Sequence, residues 1–407
     1  MRAARRNAIA SKPRPTMRRS MPAGPAKSVH GAFTIPSLDG IRAIAVMIVF
    51  VGHGFTFGGP WPGHVGVTIF FFLSGYLITT LLRREHDGTG RIALGKFYLR
   101  RAVRILPPAY ITIALAVVVG VLGWLPSTQN PWGVLAELFN VTNYYMIWAN
   151  NSTGDVHTGL PPETSMLWSL AVEEHFYLIF PAALILMLRR RLNYRRIGYI
   201  LVFACVLAVG WRLFLEATTQ DFYRLYIASD TRFDGLLAGA AMALLWNPAL
   251  GDRSPFGLSD RAMRYGIAPI AGVVFVAAAF APDPFRLTIA DSAMYLALIP
   301  LFWLVIVHPD GATGRVLNQR WIAHVGVLSF SVYLLHRLVL HLVGGIVSAA
   351  PVADLLSLAV TVAAAQLMYV GVEKPLGRLR KRYEARMPGR PVPLRRRLAR
   401  RRSARRG

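Results

Sequence analysis

Apolar residues arrive in runs long enough to cross a bilayer, separated by short polar segments that carry most of the charge. A spanning helix needs about 20 predominantly apolar residues. Such runs lie near 38–57, 64–83, 104–125, 166–188, 197–217, 229–247, 265–281, 291–308, 322–344 and 353–373. They predict an all-α polytopic membrane protein with ten transmembrane helices. A further apolar stretch, 132–148, holds Glu137, Asn140 and Asn143 among several aromatics. It predicts a short interfacial or re-entrant helix rather than a crossing.

The charges support that count. Of the 46 Lys and Arg residues, 40 fall on one side of a ten-span chain: the N-terminal tail, 83–104, 189–196, 248–264, 309–320 and the tail from 374. The opposite loops hold Arg224 and Arg286, and Arg42, Arg212, Arg232 and Arg337 lie in or at spans. Basic loops mark the cytoplasmic face, so both termini are expected there, in a plasma-membrane protein. Counting 132–148 as a crossing would scatter the basic loops over both faces. The expected organisation is a disordered basic cytoplasmic tail at 1–34, a membrane domain at 35–375 and an Arg-rich cytoplasmic tail at 376–407. No short apolar core with a small-residue cleavage site precedes residue 36, so a cleaved secretory signal is not expected.

Composition narrows the classes. The chain is 54% hydrophobic and 16% charged, with a net charge of +26. Its basic runs flank apolar spans and lack the interleaved aromatics that stack on bases, so the bilayer's anionic lipids are the expected partner and nucleic acid is not. The lone Cys205 excludes an intrachain disulfide and a multi-cysteine zinc site. Neither G-x-x-x-x-G-K-[ST] nor H-E-x-x-H occurs, so ATP hydrolysis and a zinc centre are not expected. No internal repeat is visible, which weakens a transporter or glycolipid flippase as the competing reading.

Ionisable residues inside a span are costly, and are functional candidates for that reason. Arg42 and His53 share the first run, eleven residues apart. Helical rise separates them by roughly 16 Å, about half of the ~30 Å hydrocarbon thickness. Lys96, Arg100, Arg101 and Arg104 recur at three- and four-residue spacing before Pro107-Pro108 and suit a phosphorylated ligand. Glu173, Glu174 and His175 stand several residues inside the fourth run. A carboxylate beside His53 would fix its tautomer and raise its basicity, as deprotonating a hydroxyl requires. Ser74, in Phe70-Phe71-Phe72-Leu73-Ser74-Gly75-Tyr76, lacks a hydrolase elbow and suits a helix–helix hydrogen bond. Asp230-Thr231-Arg232-Phe233-Asp234 opens the sixth run as an internal ion pair or an acceptor-binding edge. His336 and Arg337 sit in the ninth.

These pieces together resemble the acyltransferase 3 family of multi-pass membrane O-acyltransferases, over roughly residues 35–375. They are Ser37-Leu38-Asp39-Gly40-Ile41-Arg42 with His53 in Arg-x10-His spacing, Val67 to Ile78, Phe97 to Pro107, Trp168 to Tyr177, and Tyr333-Leu334-Leu335-His336. The resemblance implies an acyl-CoA donor, commonly acetyl-CoA, loaded from the cytoplasm without a permanently bound cofactor. It implies an acceptor hydroxyl on a carbohydrate: a surface glycan, a glycolipid or the sugar of a secondary metabolite. Its Arg-x-x-Arg motif falls on Arg101 and Arg104, which with Arg42 are expected to bind the donor. Its membrane His falls on His53, the expected general base, oriented by Glu173 or Glu174. Candidate acceptor contacts are Ser74, Tyr76, Trp168, Asp230, Arg232, Asp234 and His336. Two departures stand out: His175 replaces the family's frequent Gln, and the chain shows no C-terminal hydrolase-like domain. Acceptor recognition is therefore expected from the membrane domain or from a separate acceptor-binding protein. The glycerolipid acyltransferase pattern, His followed five residues later by Asp, fails at every histidine.

Overall fold

Short polar breaks between apolar runs leave the chain one economical solution in a bilayer, a bundle of helices that satisfies its own backbone. The computed structural model describes residues 33–54, 62–125 and 129–386, so most of the two expected tails lies outside the described residues. The helices are α1 Leu38–Gly54, α2 His64–Thr89, α3 Leu94–Val121, α4 Pro131–Leu138, α5 Thr142–Thr153, α6 Leu167–Arg189, α7 Tyr194–Thr219, α8 Phe222–Ile227 and α9 Ser229–Leu245. They continue as α10 Asp260–Ala279, α11 Arg286–Val307, α12 Arg320–Gly344 and α13 Ala350–Glu384. No strand occurs among the described residues.

Nine described helices are long and apolar enough to cross a membrane, α8 and α9 counting together within Phe222–Leu250. The expected first span, α1, has 17 residues, and its expected end at 57 falls in 55–61, outside the described residues. The 132–148 stretch is two short helices rather than one. Asn140, at φ 55°, breaks the path between α4 and α5, and a left-handed turn is a conformation that Asn tolerates. The basic segment 94–104, expected in a loop, forms the first turns of α3.

Packing centres on α2 and α9, which cross with α7 on the far side of α9. Small residues permit the approach. A Cβ at Gly75 would sit 1.9 Å from the Leu236 carbonyl oxygen, and one at Gly239 would sit 2.0 Å from that of Phe72. Close backbone contact of this kind is how helices associate where lipid offers no hydrophobic contrast. A second unit joins α1, α12 and α13, and α1 also contacts α2.

Two buried ion pairs fix the relation of α9 to its neighbours. Arg232 pairs with Asp291 on α11, both fully buried. Arg212 on α7 binds Asp234 at 2.8 Å, and Ser292 donates to the same carboxylate at 2.6 Å.

Gly75→Ala and Gly239→Ala should each cost about 1–3 kcal/mol, because the added methyl meets backbone rather than a movable side chain. Gly210→Ala, which meets nothing within 4 Å, is the control and should leave the melting temperature unchanged or raised. Thermal unfolding in one detergent separates these outcomes.

Candidate functional site

Among the described residues, two cavities in the bundle share Val67 and Tyr333 in their linings. The first, of about 100 Å³, faces the end of the bundle that carries the basic turns of α3. Arg42, Arg101 and Arg104 line it together with Ser74, Glu173 and Tyr177. The four-residue spacing of Glu173 and Tyr177 puts both on one face of α6. Glu173 Oε1 accepts from Ser74 Oγ at 3.0 Å, and Oε2 accepts from the Tyr177 hydroxyl at 2.9 Å. The Arg101 guanidinium sits 5.3 Å from the centre of the Tyr177 ring. Arg42 is tied to Asp39 at 2.7 Å. Three guanidinium groups against one engaged carboxylate leave the cavity cationic, a setting suited to phosphate oxygens.

The second cavity, about 380 Å³, contains His53 near the other end of α1. His53 Nδ1 lies 2.8 Å from the Val49 carbonyl. A carbonyl can only accept, so Nδ1 carries the proton and Nε2 keeps its lone pair. His336 repeats the arrangement below it: Nδ1 donates to the Tyr333 carbonyl at 2.6 Å, and the ring centres of the two histidines are 5.1 Å apart. Tyr333 forms the partition, its hydroxyl donating to the Met166 carbonyl at 3.0 Å and lying 2.5 Å from Ser169 Oγ.

The expected carboxylate partner of His53 is therefore elsewhere. Both oxygens of Glu173 are committed to Ser74 and Tyr177 in the first cavity, and a backbone carbonyl orients His53 instead. Glu174 lines neither cavity, and its Oε1 is buried without a hydrogen-bond partner among the described residues. His175 contacts Ser229 Oγ at 2.7 Å, where Asn143 of α5 also donates, so it joins three helices.

The candidate acceptor contacts divide in the same way. Trp168 lines the second cavity and stacks obliquely on Tyr226 at 5.1 Å. His336 is buried beneath His53. Tyr76 is buried and donates to Asn247 at 2.8 Å, away from both cavities. Arg232 pairs with Asp291 through Nη1, its Nε and Nη2 buried without partners among the described residues, and Asp234 is held by Arg212 and Ser292. Asp230 holds Arg224 at 2.5 Å and accepts from Trp211 at 2.8 Å. The ion-pair alternative wins for that segment because helical spacing aims each of its charges at a different neighbouring helix. Sequence reasoning passed over His64, His157 and Arg286, which line the second cavity with Arg337. Arg286 carried a usable signal, as one of two basic residues in the opposite loops.

A cap borders this end. Thr164 donates a short hydrogen bond to Glu137 of α4, fixing the strap that leads into α6 and Trp168. His341 of α12 bonds Glu163 at 3.0 Å. Burial opposes ionisation of Glu163, but that bond and the His341 and Arg337 charges hold it below the ordinary carboxylate range. Burial raises Glu137 to about 8, the charge of Glu163 adding and the Thr164 bond opposing.

A family model described as an acyltransferase domain, that of acyltransferase 3, matches residues 35–370. A Staphylococcus aureus (strain COL) protein provisionally named an O-acetyltransferase is 32% identical over 320 residues, which are 76% of this chain and 51% of that protein. The peptidoglycan O-acetyltransferase OatA of Listeria monocytogenes is 31% identical over 309 residues, 74% of this chain and 49% of OatA. A Bacillus subtilis protein provisionally named the peptidoglycan O-acetyltransferase YrhL is 30% identical over 364 residues, 86% of this chain and 56% of that one. The chain thus spans about half the length of the curated relatives it matches. No solved structure matches it.

The cap gives the fold a pH dependence. Folded Glu137 holds a proton that an unfolded carboxyl, near 4.5, has released, so stability falls as pH rises from 4.5 to about 8. Glu137→Gln keeps an acceptor for Thr164 and removes the titration. At pH 8 it should melt about 2–4 °C above the parent, with the gap closing near pH 5. A gap that is unchanged across this range would refute the buried-proton account.

Proposed function

The chain belongs to the acyltransferase 3 family, and from that premise we propose that it moves an acyl group, typically acetyl, from acyl-CoA to a carbohydrate hydroxyl. The observation that carries the reading is the pair of cavities meeting at Val67 and Tyr333, one lined by guanidinium groups and the other holding a histidine with a free lone pair.

The basic end, by the charge rule, is cytoplasmic, where acyl-CoA is available. Arg42, Arg101 and Arg104 bind the donor's phosphates there. The thioester arm is thin and uncharged, so it can extend along α1 past Tyr333, while the phosphates stay behind. The acceptor enters the second cavity from the opposite face. His53 Nε2 takes the proton from its hydroxyl as the oxygen attacks the thioester carbon. Collapse of the tetrahedral intermediate breaks the carbon–sulfur bond, and the His53 proton neutralises the departing thiolate. The Val49 carbonyl holds the tautomer throughout and favours the imidazolium that forms. Glu173, Ser74 and Tyr177 act on the donor side, shaping the channel around Arg101.

The relatives' names favour a glycan acceptor, and the aromatic walls of the second cavity, Trp168, Tyr223 and Tyr226, fit a sugar ring.

His53→Ala should lower acyl transfer by about 10²–10⁴-fold in correctly inserted protein, the usual cost of removing a general base. Arg101→Gln and Arg104→Gln should instead raise the KM for acyl-CoA, since each removes a charge-assisted contact of about 1.5–3 kcal/mol. Steady-state assays with radiolabelled acetyl-CoA resolve the two effects. Normal turnover in His53→Ala, or unchanged KM in both arginine variants, would remove the corresponding role.

A further inference from the structure

The cavity around His53 has a charge pattern that acylation of a neutral sugar does not require. Arg286, Arg337 and the histidines 53, 64 and 157 line it, and no Asp or Glu does among the described residues. Arg286, only 9% exposed, opens α11. Its Nε and Nη2 engage Asp283 at 2.8 and 2.9 Å, while Nη1 is buried with no hydrogen-bond partner among the described residues. The guanidinium lies 5.4 Å from the centre of the Tyr226 ring, which holds it in the wall. His64 Nε2 is likewise buried and without a partner. Of the carboxylates near these groups, Glu163 bonds His341, and Asp291 pairs with Arg232 through Oδ2 while its Oδ1 is buried without a partner among the described residues. Arg337 follows His336 on α12 and lines the same space as His53.

A buried N–H group left unmade is costly, and a wall with surplus guanidinium charge gains most from an anion that can accept from both groups. Aromatic faces with a few placed polar groups are the usual composition of a pocket that fixes one orientation of a small ligand. Resting on the acyl-transfer reading, we propose that the acceptor carries an anionic group, a carboxylate or a phosphate, near the hydroxyl that is acylated. Arg286 Nη1 and Arg337 hold that anion, and this presents the neighbouring hydroxyl to His53 Nε2. A neutral glycan would leave Arg286 Nη1 without an anionic acceptor, so discrimination against it belongs to the site itself.

Equilibrium binding tests this without any turnover. The protein is placed in nanodiscs of zwitterionic lipid, without acyl-CoA, and titrated with a neutral disaccharide, its uronic acid counterpart and its 6-phosphate. The uronic acid or the phosphate should bind at least about tenfold more tightly than the parent sugar, and which of the two is preferred identifies the anion. Arg286→Gln and Arg337→Gln should each erase most of that preference, and Arg286→Lys, which can still pair with Asp283, should restore part of it. Melting curves confirm that each variant is folded. Equal affinity for neutral and anionic sugars, or no binding of either anionic sugar, would overturn the proposal. So would a preference retained in both glutamine variants. If phosphatidylglycerol added to the disc displaces the sugar, the cavity holds a lipid headgroup and the acceptor assignment falls. Failure of the acyl-transfer reading would appear as absent turnover of radiolabelled acetyl-CoA by the parent protein and would leave these affinities unchanged.

Discussion

A charge inside a bilayer must find its partner within the protein, and α9 answers that demand twice. Arg232 reaches Asp291 on α11, while Asp234 receives Arg212 from α7. Breaking one partner of such a pair strands a buried charge, which is far costlier than either pair is favourable. The helix is thereby fixed in rotation as well as position, with its small residues turned to α2. Because α2 also supplies Val67 and Ser74, the placement of both cavities follows from how two arginines are neutralised elsewhere.

Much of this was legible in the sequence because hydrocarbon imposes a strict code. Runs of apolar residues became helices at the expected places, and Arg101 and Arg104, three residues apart on α3, line one cavity with Arg42 of α1, a grouping implied by the family resemblance rather than by spacing. Partner choice was less legible. Nothing in the spacing of His53 and Glu173 says which face of α6 turns toward α1, and the expected carboxylate–histidine contact gave way to the nearer Val49 carbonyl. Asp230, Arg232 and Asp234 read equally well in one dimension as an internal ion pair or a binding edge, and in three dimensions each makes an ion pair. The break at Asn140 depends on a single left-handed residue, which periodicity cannot register.

The two histidines illustrate how one local rule yields different roles. Each donates Nδ1 to a carbonyl three or four residues earlier on its own helix, leaving Nε2 free. For His53 the free nitrogen opens into a roomy cavity; for His336 it is sealed among packed side chains. Position, not chemistry, distinguishes them, and position is set by the packing of α12 against α1.

The partition at Tyr333 has an electrical consequence. If water fills the cavities on either side, the transmembrane voltage no longer falls across the full ~30 Å of hydrocarbon but across the few side chains between them. Each elementary charge crossing 100 mV exchanges about 2.3 kcal/mol, and here that work would be concentrated in the layer that holds Val67 and Tyr333. The tyrosine is then part of the membrane's insulation, and a gap beside it large enough for a file of water would be a proton leak.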